Sequence, residues 1–421
     1  MTGRRRALAR HRAWQSFFAG IGLVQVVAQL RPFLEVLYVP KWLSAIAFVA
    51  SLMLLGRGWL TTRLAIPFSI AVAVVAVGLL SQLGDGLDTR AVALATTFLL
   101  TAITSFVIAP QALARGWVRR AVWSGLLWGV TFGVVFGFAG GVLTLPAGLL
   151  FRDEQVRFFG LFAHPNLAGT VALTGVVLAG ASSVASRRVA PLLAILPMGG
   201  ALAFADARIS VLAATAFVSV FAFLWLWHHR PTARPLVAAV VLASGAVGGY
   251  KEVENRLSSR ADIEQFASGR LDTWRRSLAY LESPTDWLIG VGLSRNHSFA
   301  SYTTARLTEA RTTGLVGVRG AATDSTYVDM ITRTGLIGLT LFLLLVALLG
   351  KHAWHGWYGV TRAADEAAVA LAALVAAMLH MLTESTTFSF GVTLALVVWP
   401  LAGSAAVRVA LLSRQSARTQ A

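Results

Sequence analysis

The chain has 421 residues, of which 56% are hydrophobic and only 13% are charged, and its formal net charge is +17. Soluble domains carry about 25% charged residues, so this composition and a mean hydropathy of +0.69 exclude a water-soluble globular protein. The chain contains no cysteine, which excludes disulfides and thiolate chemistry.

Apolar runs recur along the whole chain, and each is long enough to cross a hydrocarbon core about 30 Å thick. This pattern predicts an all-α, polytopic membrane bundle with about 12 transmembrane helices. The predicted spans are 14–30, 33–55, 63–82, 91–109, 121–140, 166–183, 189–205, 209–227, 235–250, 332–350, 364–383 and 387–412.

The short loops between these spans differ in charge from one side to the other. Loops such as PQALARGWVRR (110–120) and HHRPTAR (228–234) are basic, whereas LGDGLD (83–88) and EST (384–386) are acidic. Lys and Arg near span ends are retained on the cytoplasmic side. We therefore expect a multi-pass protein of the cell membrane with both termini in the cytoplasm.

The spans divide the chain into three parts. Residues 1–250 hold spans one to nine, residues 251–331 form one large extracytoplasmic loop, and residues 332–421 hold the last three spans and a cytoplasmic tail. The segment 251–330 contains ten basic and ten acidic residues, so the positive excess lies mostly in the cytoplasmic loops. Topology and anionic lipid account for that excess, and we expect no nucleic-acid partner.

This orientation places the unusual polar residues on the outer side. RFFGLFAHPNLAG (157–169) supplies Arg157, His164 and Asn166, ADARIS supplies Arg208, and the acidic outer turn supplies Glu384. Polar groups near a membrane are costly and are kept for function or for pairing with one another. An outward-facing polar site is the simplest interpretation.

Each of these residues also has a purely structural interpretation. Pro165 and Asn166 can begin a helix, and a long side chain such as Arg157 can reach lipid phosphate. Asp206 can neutralise Arg208 two residues later, and Glu384 can cap the end of a span.

The extracytoplasmic loop contains a predicted amphipathic helix. Its apolar residues recur at helical spacing and are Leu271, Trp274, Leu278 and Leu281. Its margins carry Arg270, Arg275 and Arg276. Guanidinium groups suit a polyanionic ligand such as pyrophosphate; the alternative is a helix lying on the membrane. SPTDWLIGVG (283–292) then predicts a turn and a Gly-rich return.

Several familiar catalytic motifs are absent from the sequence. It contains no nucleotide-binding Gly-rich loop, no zinc-binding HExxH helix and no GxSxG nucleophile elbow. No spacing of acidic residues argues for a metal site, so we expect neither a metal nor another cofactor.

Four segments, in this order, resemble the O-antigen ligase and polymerase family of bacterial surface-glycan assembly. They are RFFGLFAHPNLAG, ADARIS, SGRLDTWRRSL with LIGVGLS, and DSTYVDMITRTGLIGL, while ESTTF is similar to the family's late acidic position. The resemblance implies a helical bundle of the GT-C type. It also implies a glycosyltransferase that moves a glycan from an undecaprenyl-diphosphate carrier to an acceptor hydroxyl outside the membrane, without metal or nucleotide sugar.

The sequence departs from the family's signature at one position. That signature is His followed by Asn, Ser or Gln, then nine residues and Gly-x-x-Gly; Ser325, the interval 326–334 and GLIG (335–338) fit it, but Asp324 stands in place of His. A carboxylate can serve as general base when a partly dry site raises its pKa. The alternatives are that Asp324 caps the tenth span, or that His297 folds over to supply an imidazole.

The resemblance assigns roles to the candidate residues. The catalytic set would bind the diphosphate through Arg157, Arg208 and Arg270 and stabilise the departing charge, while Asp324 orients or deprotonates the acceptor. The substrate-binding set is His164, Asn166, Arg275, Arg276, Glu384, Ser325 and His297. Direct displacement at the anomeric carbon predicts inversion of its configuration.

Three interpretations of function follow from the sequence. We prefer a polymerase over a ligase because of Asp324, with a lipid-linked glycan, a glycan or glycolipid acceptor and membrane lipid as partners. A transporter of small anions or glycolipids is the alternative from another class, although we find no repeated halves. A third interpretation is an inactive scaffold among envelope-assembly partners.

Overall fold

A computed structural model of the chain describes residues 2–33, 36–56, 62–83, 89–144, 160–162, 164–205, 207–229, 274–275, 277–293, 325–359, 364–382, 384 and 394–420. Apart from turns and one isolated bridge between Leu30 and Phe162, ordered elements in these ranges are helical. The predicted all-α class is confirmed for this part of the chain.

The helices follow the chain as a series of long rods joined by short connections. They are α1 (Thr2–Val27), α2 (Tyr38–Leu55), α3 (Thr62–Leu80), α4 (Thr89–Ile103), α5 (Ala109–Leu113), α6 (Gly116–Thr144), α7 (Pro165–Ser186), α8 (Ile195–Ala205), α9 (Arg208–His229), α10 (Pro284–Ile289), α11 (Thr326–Gly359), α12 (Ala364–His380) and α13 (Ala395–Gln420). A π-helical turn, Thr104–Ile108, joins α4 to α5.

Among the described residues, five helical stretches are long and apolar enough to cross a membrane. They are Ala91–Leu113, Gly116–Leu143, Pro165–Ser186, Arg208–His229 and Thr326–Tyr358. This is the architecture of a helical membrane protein. A helix also lies over every other predicted span except 235–250, which falls outside the described residues. The total of twelve spans stays a prediction.

The central helix is α7. Its most apolar window is 83% buried, against 28% for α9, so α7 contacts protein on nearly every side while α9 is peripheral. Small residues make this possible: a side chain at Gly169 would strike Ala207, and one at Gly175 would strike Met198. Membrane helices pack closely through such small residues.

Close packing through small residues also joins α1 to α6. Glycines recur every fourth residue along one face of α6, at Gly125, Gly129, Gly133 and Gly137. Added Cβ atoms at Gly125 and Gly129 would strike the α1 backbone near Gln15 and Ala19. The two backbones therefore lie in direct contact along this stripe.

Several helices are longer than the predicted spans, and two differences bear on the candidate site. The tenth span was predicted at 332–350, but α11 already begins at Thr326, because Asp329 and Arg333 lower the local hydropathy without interrupting the helix. SPTDWLIGVG was predicted as a turn, but Pro284–Ile289 is a short helix with a capping box, in which Ser283 and Asp286 bond each other's backbone N–H groups.

The helix termini next to the basic loops lie together on one side of the bundle, which we name the basic end. Its contacts are Arg10 over the Trp117 ring, Arg115 on the Leu55 carbonyl, Arg119 and Arg408 on Glu366, His229 on Asp365, and Trp357 on the Leu224 carbonyl. Helix ends that the sequence assigns to the cytoplasmic side therefore contact one another.

The other end, which we name the polar end, gathers the remaining helix ends. Its contacts join Leu30 to Phe162, Asn166 to Glu384, Thr326 to Glu384, Leu293 to Gly78, and Ala207 to Gly169. These residues lie in or next to span ends that the sequence assigns to the outer side. His164, Asn166, Ser325 and Glu384, four of the predicted site residues, all lie at this end.

Candidate functional site

The start of α7 is organised by His164. Its backbone is extended, Pro165 follows at the first helical position, and its Nδ1 accepts a hydrogen bond from the Asn166 backbone N–H at 3.0 Å. A neutral imidazole that accepts through Nδ1 carries its proton on Nε2. His164 thus caps the helix and offers an N–H donor at its other ring nitrogen.

The Asn166 side chain bonds across the bundle rather than to its own helix. Its Nδ2 donates to Oε1 of Glu384 at 2.6 Å. Glu384 is 9% exposed and lies just beyond the end of α12, where its backbone N–H donates to the His380 carbonyl. The helix-start interpretation of HPNLAG therefore holds for His164 and Pro165, while Asn166 makes a long-range contact.

A second pair of contacts closes a ring between α7 and α12. Thr170 donates its hydroxyl to the Asn166 carbonyl at 2.8 Å, and the same Oγ1 lies 3.2 Å from Nε2 of the fully buried His380. The ring runs through Asn166, Thr170, His380 and Glu384. Each member fixes the next, so the Glu384 carboxylate has a defined position.

The start of α11 joins this ring. The Thr326 hydroxyl donates to the Glu384 carbonyl at 2.8 Å, and its N–H donates to the Met381 carbonyl at 2.9 Å. Ser325 Oγ accepts from the Val328 N–H at 3.4 Å, as a helix-capping side chain does. We name the set His164, Asn166, Thr170, Ser325, Thr326, His380 and Glu384 the polar junction.

The Gly-rich return after α10 packs against α11 just beyond the polar junction. α11 is broken at Gly335, where φ is +64° and ψ is −170°, a conformation that glycine adopts without strain. A side chain at Gly335 would strike the Leu288 carbonyl, and one at Gly290 would strike the backbone of Arg333. Both glycines are needed for the close contact.

Gly338, the last glycine of GLIG, is required by a different contact. The Thr334 side chain is buried and folds back to donate to the Met330 carbonyl at 2.7 Å, and a Cβ at Gly338 would overlap its hydroxyl. The Gly-x-x-Gly frame of the resemblance is therefore a packing device that holds α11 against α10.

Arg333 and Asp329 tie the same segments together. Arg333 Nε donates to Asp329 Oδ1 at 2.7 Å, one turn apart, and its Nη1 donates to the Leu293 carbonyl. The Val291 N–H donates to the Thr332 carbonyl at 2.8 Å. LIGVGLS and DSTYVDMITRTGLIGL, two of the segments that carry the resemblance, are thus packed on each other.

Two further predicted site residues are described. Arg208 is exposed at the first position of α9, where Ala207 and Ser210 pack on Gly169 in the first turn of α7. Arg208 therefore lies at the polar end. Arg275 is exposed in the short segment before α10, and no hydrogen bond or ion pair in the described ranges joins its side chain to the polar junction.

The remaining predicted site residues lie outside the described residues. They are Arg157, Arg270, Arg276, His297 and Asp324, together with Asp206.

The chemistry of the polar junction suits a ligand rich in hydroxyl groups. It combines a carboxylate, an imidazole N–H and several hydroxyl groups within a few hydrogen bonds of one another. Carboxylates accept and imidazole N–H groups donate, so the set can bond both atoms of a sugar hydroxyl. Among the described residues no group of three His, Asp or Glu side chains is placed to hold a metal ion.

Sequence reasoning missed Thr170, Thr326, His380 and the Asp329–Arg333 pair. The spacing of Asp329 and Arg333 does indicate an ion pair, since oppositely charged residues four apart in a helix commonly interact. His380 stands alone in the apolar AAMLHML, which marks it as unusual but gives no partner. Thr170 and Thr326 had no signal, because threonine is common in membrane helices.

Comparisons with protein-family models and with curated proteins found no match to this sequence.

Proposed function

We propose that this chain is a metal-independent glycosyltransferase of lipid-linked glycans, acting at the outer face of the cell membrane. It would move a glycan from undecaprenyl diphosphate to the hydroxyl of a glycan or glycolipid acceptor, as a polymerase in preference to a ligase. The proposal includes a GT-C-like bundle of about 12 spans, cytoplasmic termini and one large extracytoplasmic loop.

The observation that carries this proposal is the hydrogen bond between Asn166 and Glu384. It joins HPNLAG to ESTTF, which are 218 positions apart in the chain, and Thr326 brings the start of DSTYVDMITRTGLIGL to the same carboxyl residue. Three segments named for their resemblance thus contribute side chains to one polar junction. A chance resemblance gives no reason for such segments to meet.

The distribution of basic residues supports placing the site outside. The basic residues of the short loops gather at the basic end, where Arg10, Arg115 and Arg119 make their contacts. Basic loops stay in the cytoplasm, so the polar end would face outward. Lipid-linked glycans are large and polar, and an outward site receives them without burial of sugar in hydrocarbon.

The proposed reaction is a direct displacement. The acceptor oxygen attacks the anomeric carbon, the bond from that carbon to the phosphate oxygen breaks, and undecaprenyl diphosphate leaves with the electron pair. The acceptor proton passes to Asp324, and Arg157, Arg208 and Arg270 stabilise the negative charge of the leaving group. His164, Asn166 and Glu384 would hold sugar hydroxyls, and inversion follows from the single step.

A transporter of small anions or glycolipids is the second candidate. The observation that favours it is the break in α11 at Gly335, because transporters build their binding sites from discontinuous helices. The break packs against α10, however, so helix packing accounts for it without a transport pathway.

The test uses the full-length protein in liposomes with an undecaprenyl-diphosphate-linked repeat unit and with a chelator present. A polymerase lengthens the lipid-linked glycan from donor alone, whereas a ligase forms product only when a glycolipid acceptor is added. Asp324→Asn is nearly isosteric and removes the proton-accepting charge, so turnover should fall about 10²- to 10⁴-fold. Asp324→His should restore part of it.

Two results would contradict the proposal. The first is movement of the glycolipid between leaflets with no change in its glycan, which is transport. The second is parental turnover by Asp324→Asn, which would place the base elsewhere and make His164 or Glu384 the next residue to test.

A further inference from the structure

The basic end contains a buried ion-pair cluster that the proposed transferase chemistry does not use. Glu366, in the first turn of α12, receives Arg119 Nη1 on Oε2 at 2.9 Å and Arg408 Nη1 on Oε1 at 2.8 Å. The three side chains are only 10%, 14% and 20% exposed for Arg119, Glu366 and Arg408. One carboxylate thus joins α6, α12 and α13.

Positive charge exceeds negative charge around this cluster. Arg120 acts electrostatically on Arg119, and Arg187 acts on both Arg119 and Glu366. The only described carboxylate besides Glu366 that acts on the cluster is Asp365, which is bonded to His229 at 2.7 Å. Among the described residues, therefore, four guanidinium groups face two carboxylates.

Part of this excess has no partner in the described chain. Arg119 is buried, and its Nε makes no hydrogen bond within the described part of the chain. A buried N–H of a charged group that lacks an acceptor is costly, and a buried charge is normally paired. The cluster therefore lacks an anionic acceptor that could satisfy both Arg119 and the neighbouring exposed Arg187.

We propose that this cluster binds the phosphate group of an anionic phospholipid. Phosphate oxygens match the planar fork of guanidinium donors, and one phosphate supplies the negative charge and the acceptors that the cluster lacks. The source is lipid because the cluster lies at the ends of membrane-type helices, beside Trp117 and the other residues of the basic end. Anionic lipid is enriched next to such basic segments.

The site would also link lipid to the core of the bundle. Arg187 stands directly after α7, with φ of +56° and its N–H bonded to the Ser183 carbonyl. A phosphate held between Arg187 and Arg119 would join the end of the central helix to α6, α12 and α13. The bound lipid would therefore stabilise the folded bundle.

The experiment measures lipid binding and stability with the full-length protein in detergent. Native mass spectrometry and thermal unfolding are followed while phosphatidylglycerol, phosphatidylcholine or inorganic phosphate is added. Arg187→Gln is the main variant, because it leaves the Arg119–Glu366–Arg408 contacts intact. Arg188→Gln is the matched control, since Arg188 is adjacent, exposed and acts on neither Arg119 nor Glu366.

The expected result is a rise in unfolding temperature with phosphatidylglycerol and little change with phosphatidylcholine or inorganic phosphate. Arg187→Gln should bind phosphatidylglycerol at least about tenfold more weakly, as expected for loss of one charged hydrogen bond. Arg188→Gln should bind it as the parent does. Equal binding by all the variants would overturn the proposal, and saturation by inorganic phosphate alone would overturn the assignment to lipid.

Discussion

The two ends of the bundle stabilise polar groups in different ways. At the basic end a carboxylate is held between two guanidinium groups, with Glu366 on Arg119 and Arg408. At the polar end the described partners of the Glu384 carboxylate include the neutral amide of Asn166. The carboxylate at the basic end is paired with full positive charges, whereas the carboxylate at the polar end has an amide among its partners.

This difference separates a structural site from a site suited to chemistry. A carboxylate between two arginines is committed to them, and a change there acts through folding. A carboxylate has about four acceptor sites, and the Asn166 amide bonds one oxygen of Glu384. The comparison predicts that changes at the basic end affect stability, while changes at the polar end affect activity in a protein that still folds.

The largest stability effect is expected for Glu366→Ala. It leaves Arg119 and Arg408 buried without their common counter-ion, and removing one partner of a buried pair costs about 3–5 kcal/mol. Thermal unfolding in detergent should show a large fall in midpoint. A midpoint within about 2 °C of the parent, roughly 1 kcal/mol or less, would show that the pair does not hold these helices together.

A smaller loss is expected for Gly335→Ala at the break in α11. The backbone conformation there, with φ +64° and ψ −170°, costs an alanine on the order of 1–3 kcal/mol, and its methyl group would strike the Leu288 carbonyl. The docking of α10 should loosen, so limited proteolysis should cut the chain within 251–331, the predicted extracytoplasmic loop, faster than in the parent. Gly350→Ala is the control, since an added Cβ there meets nothing within 4 Å. Equal proteolysis of the two variants would contradict the packing role.

The smallest stability effect is expected for His164→Ser. Serine is a favoured helix cap, so the bond to the Asn166 N–H can be kept and stability should change by less than about 0.5 kcal/mol. The imidazole N–H is lost, and glycan transfer should fall about tenfold if it bonds a sugar hydroxyl. Unchanged transfer together with reduced stability would leave His164 with a structural role only.

The sequence predicted the helices well because hydropathy and loop charge act locally. A span of apolar residues forms a helix whatever its neighbours are, so the central helix α7 was expected at 166–183 and lies at Pro165–Ser186. The predicted start of α11 was too late for the same reason. Asp329 and Arg333 pair one turn apart within the helix, but their low hydropathy is typical of a loop.

The candidate site could be predicted only in part. Residue type marked Asn166 and Glu384 as unusual, but no local rule pairs residues 218 positions apart. Ser325 supplies a capping oxygen in the first turn of α11, whereas Asp324, for which a capping role was the alternative, lies outside the described residues. Contacts between helix ends depend on how all the helices pack together, and local sequence patterns do not specify that packing.

The most direct test is the rate of glycan transfer from undecaprenyl diphosphate by the full-length chain, compared for two matched variants in the same liposomes. Glu384→Gln keeps an acceptor for Asn166 and removes a charge at the polar end; Asp365→Asn does the same beside His229 at the basic end. Transfer per folded molecule should fall about 10- to 100-fold for Glu384→Gln, as for a lost charged hydrogen bond, and stay at the parental rate for Asp365→Asn. Equal rates for the two variants, or no transfer by the parent, would contradict the account.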